Sequence, residues 1–272
     1  MPILSVISGA YNLCDCFSFE KSVESILSQS FTDFEFIICD DGSTDKTYEI
    51  LLRFAESDGR IKLLRNEKNL GLAATLNKCL SAASGEFIGR HDCDDYSAPD
   101  RFQKQIEYLK EHPEISILGT SSFLFDGFGV YDTLIYPRAV TDRDFLFNSP
   151  YQHGAVVFRA SALREAGGYC AAKLTRRAED YELFMRMQKY AKGENLPEPL
   201  YYFLEDEKAR KRRKFRYRID EARIRYRGFR SLGLLPSGLA YVIKPLIVGL
   251  LPRKFLEMLR KRRRQKQREK AE

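Results

Sequence analysis

Short apolar runs alternate with amphipathic stretches from the N-terminus to Pro113, and this alternation constrains the fold more than any other feature of the sequence. The apolar runs have the length of buried strands, and between them apolar side chains recur at the spacing of a helix. The four predicted strands cover residues 3–8, 34–39, 61–64 and 87–89. Strand–helix alternation of this kind is typical of a parallel, doubly wound sheet. We therefore predict an α/β fold in which helices flank a mostly parallel central sheet.

The pattern changes after residue 114. Glycine, proline and aromatic residues now separate shorter apolar runs, at residues 115–118, 122–125 and 155–158. A stretch with helical spacing follows at residues 178–186. We expect a mixed or antiparallel extension of the sheet here, followed by one further helix.

Three polar clusters follow predicted strands at their carboxyl ends. They are residues 8–12, 40–43 and 91–95. In parallel α/β sheets, ligands bind in the crevice beyond the carboxyl ends of the strands. We therefore expect these three loops, from separate parts of the chain, to meet in one crevice.

The cluster at residues 91–95, HDCDD, places three carboxylates within four positions, at Asp92, Asp94 and Asp95. Like charges this close repel, and each must stay solvated or be neutralised by a cation. Mg²⁺ and Mn²⁺ prefer oxygen ligands, and Mg²⁺ is usually held by one or two carboxylates together with substrate phosphates. A solvated turn is the alternative, but the position directly after a buried strand favours a metal site. The phosphate-binding patterns G-x-x-x-x-G-K-[ST] and G-x-G-x-x-G do not occur in the chain, so a nucleotide bound here is held in another way.

Charge is distributed unevenly along the chain. Residues 205–272 carry 23 Lys and Arg against 8 Asp and Glu, which leaves 22 against 30 in residues 1–204. We therefore divide the chain into a domain at residues 1–204 and a basic, amphipathic helical tail at residues 205–272. This asymmetry points to a polyanionic surface as a partner of the tail.

The tail interleaves aromatic side chains with its arginines and lysines, at Phe215, Tyr217, Tyr226 and Phe229. Such a mixture can bind nucleic acid or lie on an anionic membrane. The apolar block at residues 239–251, followed by the basic cluster at residues 260–264, favours the membrane over nucleic acid. The longest apolar stretch, residues 238–251, is shorter than the ~20 residues that span a bilayer. We therefore expect peripheral association.

The six cysteines are scattered, which fits reduced thiols in a cytosolic protein better than a disulfide framework or a zinc site. The N-terminus enters a strand-like run without a basic region, so we expect no signal peptide. These features predict a cytoplasmic protein at the inner face of the cell membrane.

Five motifs occur in order along the predicted domain. They are VISGAYN at residues 6–12, CDDGSTD at 39–45, NLGLA at 69–73 with Asn77 after it, RHDCDD at 90–95 and AEDYEL at 178–183. Over roughly residues 2–203 the chain resembles the inverting family 2 glycosyltransferases of bacterial polysaccharide and lipopolysaccharide synthesis. Each motif is weak alone, but five in this order are specific. The resemblance implies the GT-A fold, with a Rossmann-like, mostly parallel sheet.

The resemblance also implies roles for individual residues in binding a nucleotide sugar. Ala10 and Tyr11 would line the nucleobase pocket, and Asp40 would accept a hydrogen bond from the base. Asp92 would contact the ribose or the metal. Asp94 would ligate the Mn²⁺ or Mg²⁺ ion that bridges the diphosphate.

Asp180 would be the general base by the same resemblance. Glu179 and Asp180 also fit a simpler role, as acids in the first turn of a helix, where the helix dipole favours them. His153 lies where the family has a histidine-containing loop, and it equally fits a core histidine. Further possible contacts to substrates are Asp41, Asn69, Gly71, Arg90, His153 and Glu179.

The predicted function is transfer of a sugar from a nucleotide-diphosphate donor to a hydroxyl of a lipid-linked or polysaccharide acceptor. The resemblance implies a UDP-sugar donor and a metal-assisted single displacement with inversion. One alternative is a metal-dependent nucleotidyltransferase or phosphohydrolase that uses the aspartate cluster. The other is a catalytically inactive binding protein with a basic tail.

Overall fold

The computed structural model describes residues 1–126, 128–205, 215–251 and 258. Within these residues, nine strands form one sheet. The strands are β1 (Leu4–Ala10), β2 (Phe34–Asp40), β3 (Ile61–Arg65), β4 (Phe87–Arg90), β5 (Tyr96–Ser97), β6 (Ile115–Asp126), β7 (Gly129–Leu134), β8 (Val157–Arg159) and β9 (Lys192–Leu204). The helices are α1 (Phe19–Leu27), α2 (Thr47–Ser57), α3 (Leu72–Ala82), α4 (Arg101–Glu111), α5 (Ala160–Glu165), α6 (Glu179–Met187), α7 (Phe215–Ser231) and α8 (Leu239–Leu250).

The first four strands are parallel neighbours in the order β3-β2-β1-β4, as the strand–helix alternation predicts. All seven residues of β2 are buried, because helices cover both faces of this part of the sheet. The four strands therefore end at the same edge, where the three polar clusters follow three of them.

The second half of the chain extends this sheet beyond β4, with strands of both orientations. β8 lies antiparallel between β4 and β6, and β9 runs parallel to β6. β5 and β7 are antiparallel to β9 and β6, respectively. The sheet is therefore mixed and mostly parallel, and the predicted α/β class with a mixed extension is confirmed.

Two predicted apolar runs, residues 115–118 and 122–125, belong to a single strand, β6. The residues between them include Thr120 and Ser121, which are polar and completely buried. Pairing with β9 continues through this segment despite register shifts. A pattern of apolar residues alone ends the strand too early, because it does not detect cross-strand pairing by buried polar residues.

Two apolar clusters cover the two faces of the sheet. Alternate residues of β1 point to opposite sides, so Leu4 and Val6 join one cluster and Ile7 joins the other. The first cluster includes side chains from α1, α2 and α4, and the second includes side chains from α3, α6 and α7. The strand ends are thereby held rigidly between two packed layers.

Helices α7 and α8, which fall within the predicted tail, pack on the body. Ile224 and Phe229 are buried in the second cluster. Arg225 is also buried; its Nη1 donates to the Leu146 carbonyl oxygen at 3.1 Å, and its guanidinium lies 5.0 Å from the Tyr181 ring centre. The division at residue 204 stays a prediction, and the basic segments at residues 206–214 and 260–264 lie outside the described residues.

Within the described residues, every helix is too short or too polar to cross a membrane.

Candidate active site

A cavity of about 420 Å³, here called the crevice, opens beyond the carboxyl ends of β1 and β2. Its walls are formed by residues 9–11, 69–75, 171–173 and 175–177. Tyr217 of α7 completes the lining. The predicted site residues that line the crevice are Ala10, Tyr11, Asp41, Asn69, Gly71 and Glu179. The loops after β1 and β2 therefore meet in the crevice as predicted, whereas residues 91–95, after β4, contribute no side chain to its lining.

Asp41 fixes the loop between β3 and α3 against the crevice. Its Oδ1 accepts hydrogen bonds from Asn66 Nδ2 and from the backbone nitrogen of Leu70, both at 2.9 Å. Its Oδ2 accepts from the backbone nitrogen of Gly71 at 2.9 Å. Gly71 has a φ of 91°, a conformation that favours glycine. Asp41 therefore shapes a wall of the crevice as well as lining it.

Asp40 is fully buried at the end of β2 and lies outside the crevice lining. Its carboxylate accepts from the backbone nitrogen of Ser43, at 3.3 and 3.2 Å, and lies 3.2 Å from Arg65 Nε. These contacts hold the turn after β2. The contact of Asp40 with a nucleobase stays a prediction.

Arg90 and Asp92 form an ion pair at the carboxyl end of β4. Arg90 is completely buried, whereas the Asp92 side chain is 25% exposed. Burial disfavours the charge on Arg90, but the neighbouring Asp92 carboxylate outweighs this, and the pKa of Arg90 lies above its usual value. The backbone nitrogen of Asp92 donates to Tyr201 Oη at 3.1 Å. A buried framework therefore positions the partly exposed Asp92 carboxylate.

His91 and Asp95 point into the protein and support this loop. Burial, with the charges of Arg101 and Arg90, lowers the pKa of His91 well below its usual value, so its ring is neutral. His91 Nε2 lies 2.8 Å from Ser22 Oγ. Burial raises the pKa of Asp95, whose Oδ1 accepts from the Leu204 backbone nitrogen at 2.7 Å. Of the three carboxylates, only Asp92 and Asp94 keep part of their surface exposed.

The oxygen ligands of Asp92 and Asp94 fit a hard divalent cation. In the described part of the chain, no three His, Cys, Asp or Glu side chains converge to hold a metal by themselves. Mg²⁺ does not require such a group, because one or two carboxylates and the substrate phosphates usually complete its shell. The loop therefore fits an ion that binds together with a diphosphate.

Asp180 and Glu179 lie in the first turn of α6, where Glu179 lines the crevice. Asp180 keeps part of its surface open, but the surrounding protein raises its pKa above the usual value; His153 opposes this and Glu179 adds to it. Burial also raises the pKa of Glu179. A carboxylate with a raised pKa at the edge of a crevice is a candidate general base.

His153 lies within electrostatic range of both Asp180 and the loop after β4. Burial and the charge of Arg90 lower the pKa of His153 to about 4, although Asp180 and Asp92 act in the opposite direction. Its Nε2 lies 2.9 Å from Tyr169 Oη. The structure therefore brings Arg90, Asp92, His153 and Asp180 within electrostatic reach of one another, and His153 is uncharged at neutral pH.

Comparison with known proteins identifies the family. The profile described as "Glycosyl transferase family 2" matches residues 5–167. The chain belongs to this family. It is a nucleotide-sugar-dependent glycosyltransferase, and the family resemblance inferred from the five motifs is confirmed.

A curated relative and two solved structures show how far the similarity extends. The chain is 42% identical over 270 residues to "Putative glycosyltransferase EpsE" of Bacillus subtilis (strain 168), covering 98% of this chain and 96% of the relative. S. aureus TarS 1–349, crystallised with UDP-GlcNAc, has a TM-score of 0.69 at 23% identity, over 91% of this chain and 71% of that one. The mannosyltransferase PcManGT from Pyrobaculum calidifontis, in complex with GDP-Man and Mn²⁺, has a TM-score of 0.61 at 18% identity, over 96% and 79% of the two chains. The glycosyltransferase therefore has the GT-A fold.

Sequence reasoning missed a basic wall of this glycosyltransferase's crevice. Lys173, Arg176 and Arg177 line it together with Tyr11. Arg177 has a φ of 75°, an uncommon conformation for a residue with a side chain. The sequence does indicate this wall, because Arg176 and Arg177 directly precede the AEDYEL motif and are therefore close in the chain to the predicted site residues Glu179 and Asp180.

Proposed function

We propose that the enzyme transfers a sugar from a UDP-sugar to a hydroxyl of a lipid-linked or polysaccharide acceptor, with inversion at the anomeric carbon. The observation that carries the proposal is the position of Asp180, at the start of α6 directly beside a crevice lined by arginines. We place the enzyme at the cytoplasmic face of the cell membrane.

The donor side of the proposal is supported by the chemistry of the crevice walls. A nucleoside diphosphate carries negative charge, and Lys173, Arg176 and Arg177 supply cations with hydrogen-bond donors that match phosphate oxygens. Tyr11, which also lines the crevice, is 44% exposed and offers a ring surface to a nucleobase. The UDP-GlcNAc bound to TarS supports a uridine donor.

Asp92 and Asp94 would hold the divalent cation of the reaction, Mn²⁺ or Mg²⁺. When bound, such an ion neutralises the charge that develops on the leaving diphosphate. The Mn²⁺ in the complex of PcManGT supports this assignment. The ion pair with Arg90 orients Asp92 for that role.

The acceptor side depends on Asp180. The acceptor hydroxyl must lose a proton as it attacks the anomeric carbon, and a carboxylate within hydrogen-bond reach accepts it. Burial raises the pKa of Asp180, which strengthens its carboxylate as a base. One base together with one cation suits a single displacement, which inverts the anomeric centre.

Titration calorimetry tests the proposal with a panel of nucleoside diphosphates, with and without Mn²⁺. We expect metal-dependent binding of UDP that is lost in Asp94→Ala. Asp100→Ala, which removes a half-exposed carboxylate outside the crevice, should bind as the unmodified protein does. A coupled assay should then detect release of UDP from a UDP-sugar; release of pyrophosphate or inorganic phosphate would contradict the proposal.

A further inference from the structure

The side of α8 that faces away from the body is apolar. Leu239, Ile243, Ile247 and Leu250 recur at helical spacing and are 44%, 49%, 55% and 75% exposed, respectively. The opposite side of the helix holds Pro245, which is buried. These four exposed side chains, together called the α8 stripe, lie on one face of the helix.

No charge interrupts the α8 stripe. Lys244 is the charged residue of the helix, and its Nζ donates to the carbonyl oxygen of Phe147 at 3.1 Å. Its ammonium group is therefore directed toward the body. Phe147 is itself 57% exposed and packs edge-on against Tyr241, with ring centres 5.1 Å apart. Tyr241 lies on the side of α8 opposite the stripe, so this contact helps to hold that side of the helix on the body.

Helix α7 continues this surface beside α8. The two helices touch closely where a Cβ on Gly249 would lie 3.0 Å from the Phe215 ring. Phe215, Ile219 and Tyr226 are 45%, 38% and 45% exposed. At 100° per residue they share one side of α7, and the exposed Arg223 and Arg230 lie next to them on it. Helices α7 and α8, together called the α7–α8 hairpin, therefore combine an apolar stripe with a basic border.

Continuous apolar surface of this kind is uncommon on a monomeric protein and marks a contact site. The composition selects among partners. Water-exposed isoleucine and leucine bordered by arginine match the acyl and headgroup layers of an anionic membrane. The chain beyond residue 251 adds further lysine and arginine, with a cluster at residues 260–264.

We propose that the α7–α8 hairpin is the membrane-docking element of this enzyme, lying in the interface of an anionic bilayer. The α8 stripe enters the boundary between headgroups and acyl chains, and the arginines of α7 bind lipid phosphates. The helices lie on the membrane and do not cross it. This inference gives a defined surface to the membrane location in the proposed function, but its physical basis is independent of the transfer chemistry.

Docking through this hairpin also orients the crevice. Tyr217 lies on the side of α7 that faces the body and lines the crevice, whereas Tyr226 and Ile219 are exposed on another side of the same helix. A single helix therefore separates the crevice from the proposed membrane surface. This arrangement suits an acceptor that is itself anchored to lipid.

The test is co-sedimentation of the whole chain with two kinds of vesicle. One kind consists of phosphatidylcholine alone, and the other contains about 30% of the anionic lipid phosphatidylglycerol, which attracts lysine and arginine side chains. We expect binding to the anionic vesicles, and Ile243→Glu with Ile247→Glu should weaken it by about tenfold or more because two apolar anchors become charged. The matched control is Leu52→Glu with Val130→Glu, which places two carboxylates at exposed apolar positions on the body. The control should retain more binding than the stripe variant.

Equal binding by the stripe variant, the control and the unmodified protein would overturn the proposal. Light scattering after size-exclusion chromatography identifies the rival occupant, a second copy of the chain. A dimer that the stripe variant dissociates, without vesicle binding in either form, would also overturn it. UDP binding by the stripe variant shows that this variant is folded. If the stripe variant loses vesicle binding but still binds UDP, the result supports the docking surface.

Discussion

Asp180 is the residue on which the proposed chemistry depends most directly. We expect Asp180→Asn to lower the transfer rate by ~10²–10⁴-fold, because the amide cannot accept the acceptor proton. Binding of UDP and Mn²⁺ should be unchanged. The measurement is steady-state transfer together with calorimetry, and Glu182→Gln, which loses an ion pair with Arg186 on the same helix, serves as control.

The raised pKa of Asp180 has a consequence for both activity and stability. Activity should fall as the pH decreases through this pKa, so the acidic limb of the rate profile should lie above the ~3.9 of an exposed aspartate. Ionisation of a carboxyl with a raised folded-state pKa disfavours folding, and the resulting loss of stability develops as the pH rises through that pKa. Asp180→Asn should therefore be more stable at neutral pH although its transfer rate is lower. A variant as active as the original enzyme would exclude Asp180 as the base.

Arg177 combines a proposed role in donor binding with an uncommon backbone conformation. Replacement by glycine or alanine removes the same guanidinium, so both variants should raise the KM for the donor. Only alanine retains the cost of a positive φ, and we expect the glycine variant to be more stable by ~1 kcal/mol. Chemical unfolding and donor kinetics measure the two effects separately. An unchanged KM in both variants would show that Arg177 does not bind the donor.

The loop between β3 and α3 shows how one side chain controls an element. We expect Asp41→Asn to lower the free energy of unfolding by ~1–3 kcal/mol, because its amide group cannot accept all three hydrogen bonds from Asn66, Leu70 and Gly71. The donor KM should rise as well, since this loop lines the crevice. Thermal unfolding and kinetics test this, with the exposed Asp33→Asn as control. A stable variant with normal KM would contradict the role of Asp41.

At the scale of elements, the sequence predicted the first half of the fold well. Strands β1, β2 and β4 are buried on both faces and the helices between them are amphipathic, so local periodicity contains nearly all the information about them. In β6 that information fails, because buried Thr120 and Ser121 continue the strand through pairing with β9. Pairing between distant segments is invisible to a local pattern.

Across the whole molecule, α7 is part of the core although it lies in the basic region. Phe229 is completely buried in the cluster that also contains Phe184 of α6. We expect Phe229→Ala to destabilise the entire protein by ~3–5 kcal/mol, in one cooperative transition. Circular dichroism during urea unfolding measures it, and the half-exposed Tyr226→Ala on the same helix is the control. Two separate transitions would instead indicate that the region after residue 204 folds independently.

The sequence by itself determined the fold class, the family and the place where the crevice forms. These properties follow from local periodicity and from ordered motifs at strand ends, which need no knowledge of distant contacts. Only the tertiary structure decided that Asp95 and His91 face inward while Asp92 and Asp94 keep exposed surface, because adjacent residues in a loop carry no periodic signal. Only the tertiary structure brings the basic segment 171–177 beside the residues after β1. It also places Ile224 and Phe229 in the core and leaves the α8 stripe exposed. Burial of a basic, aromatic-rich helix depends on which surface lies opposite it, and that surface is assembled from residues far away in the chain.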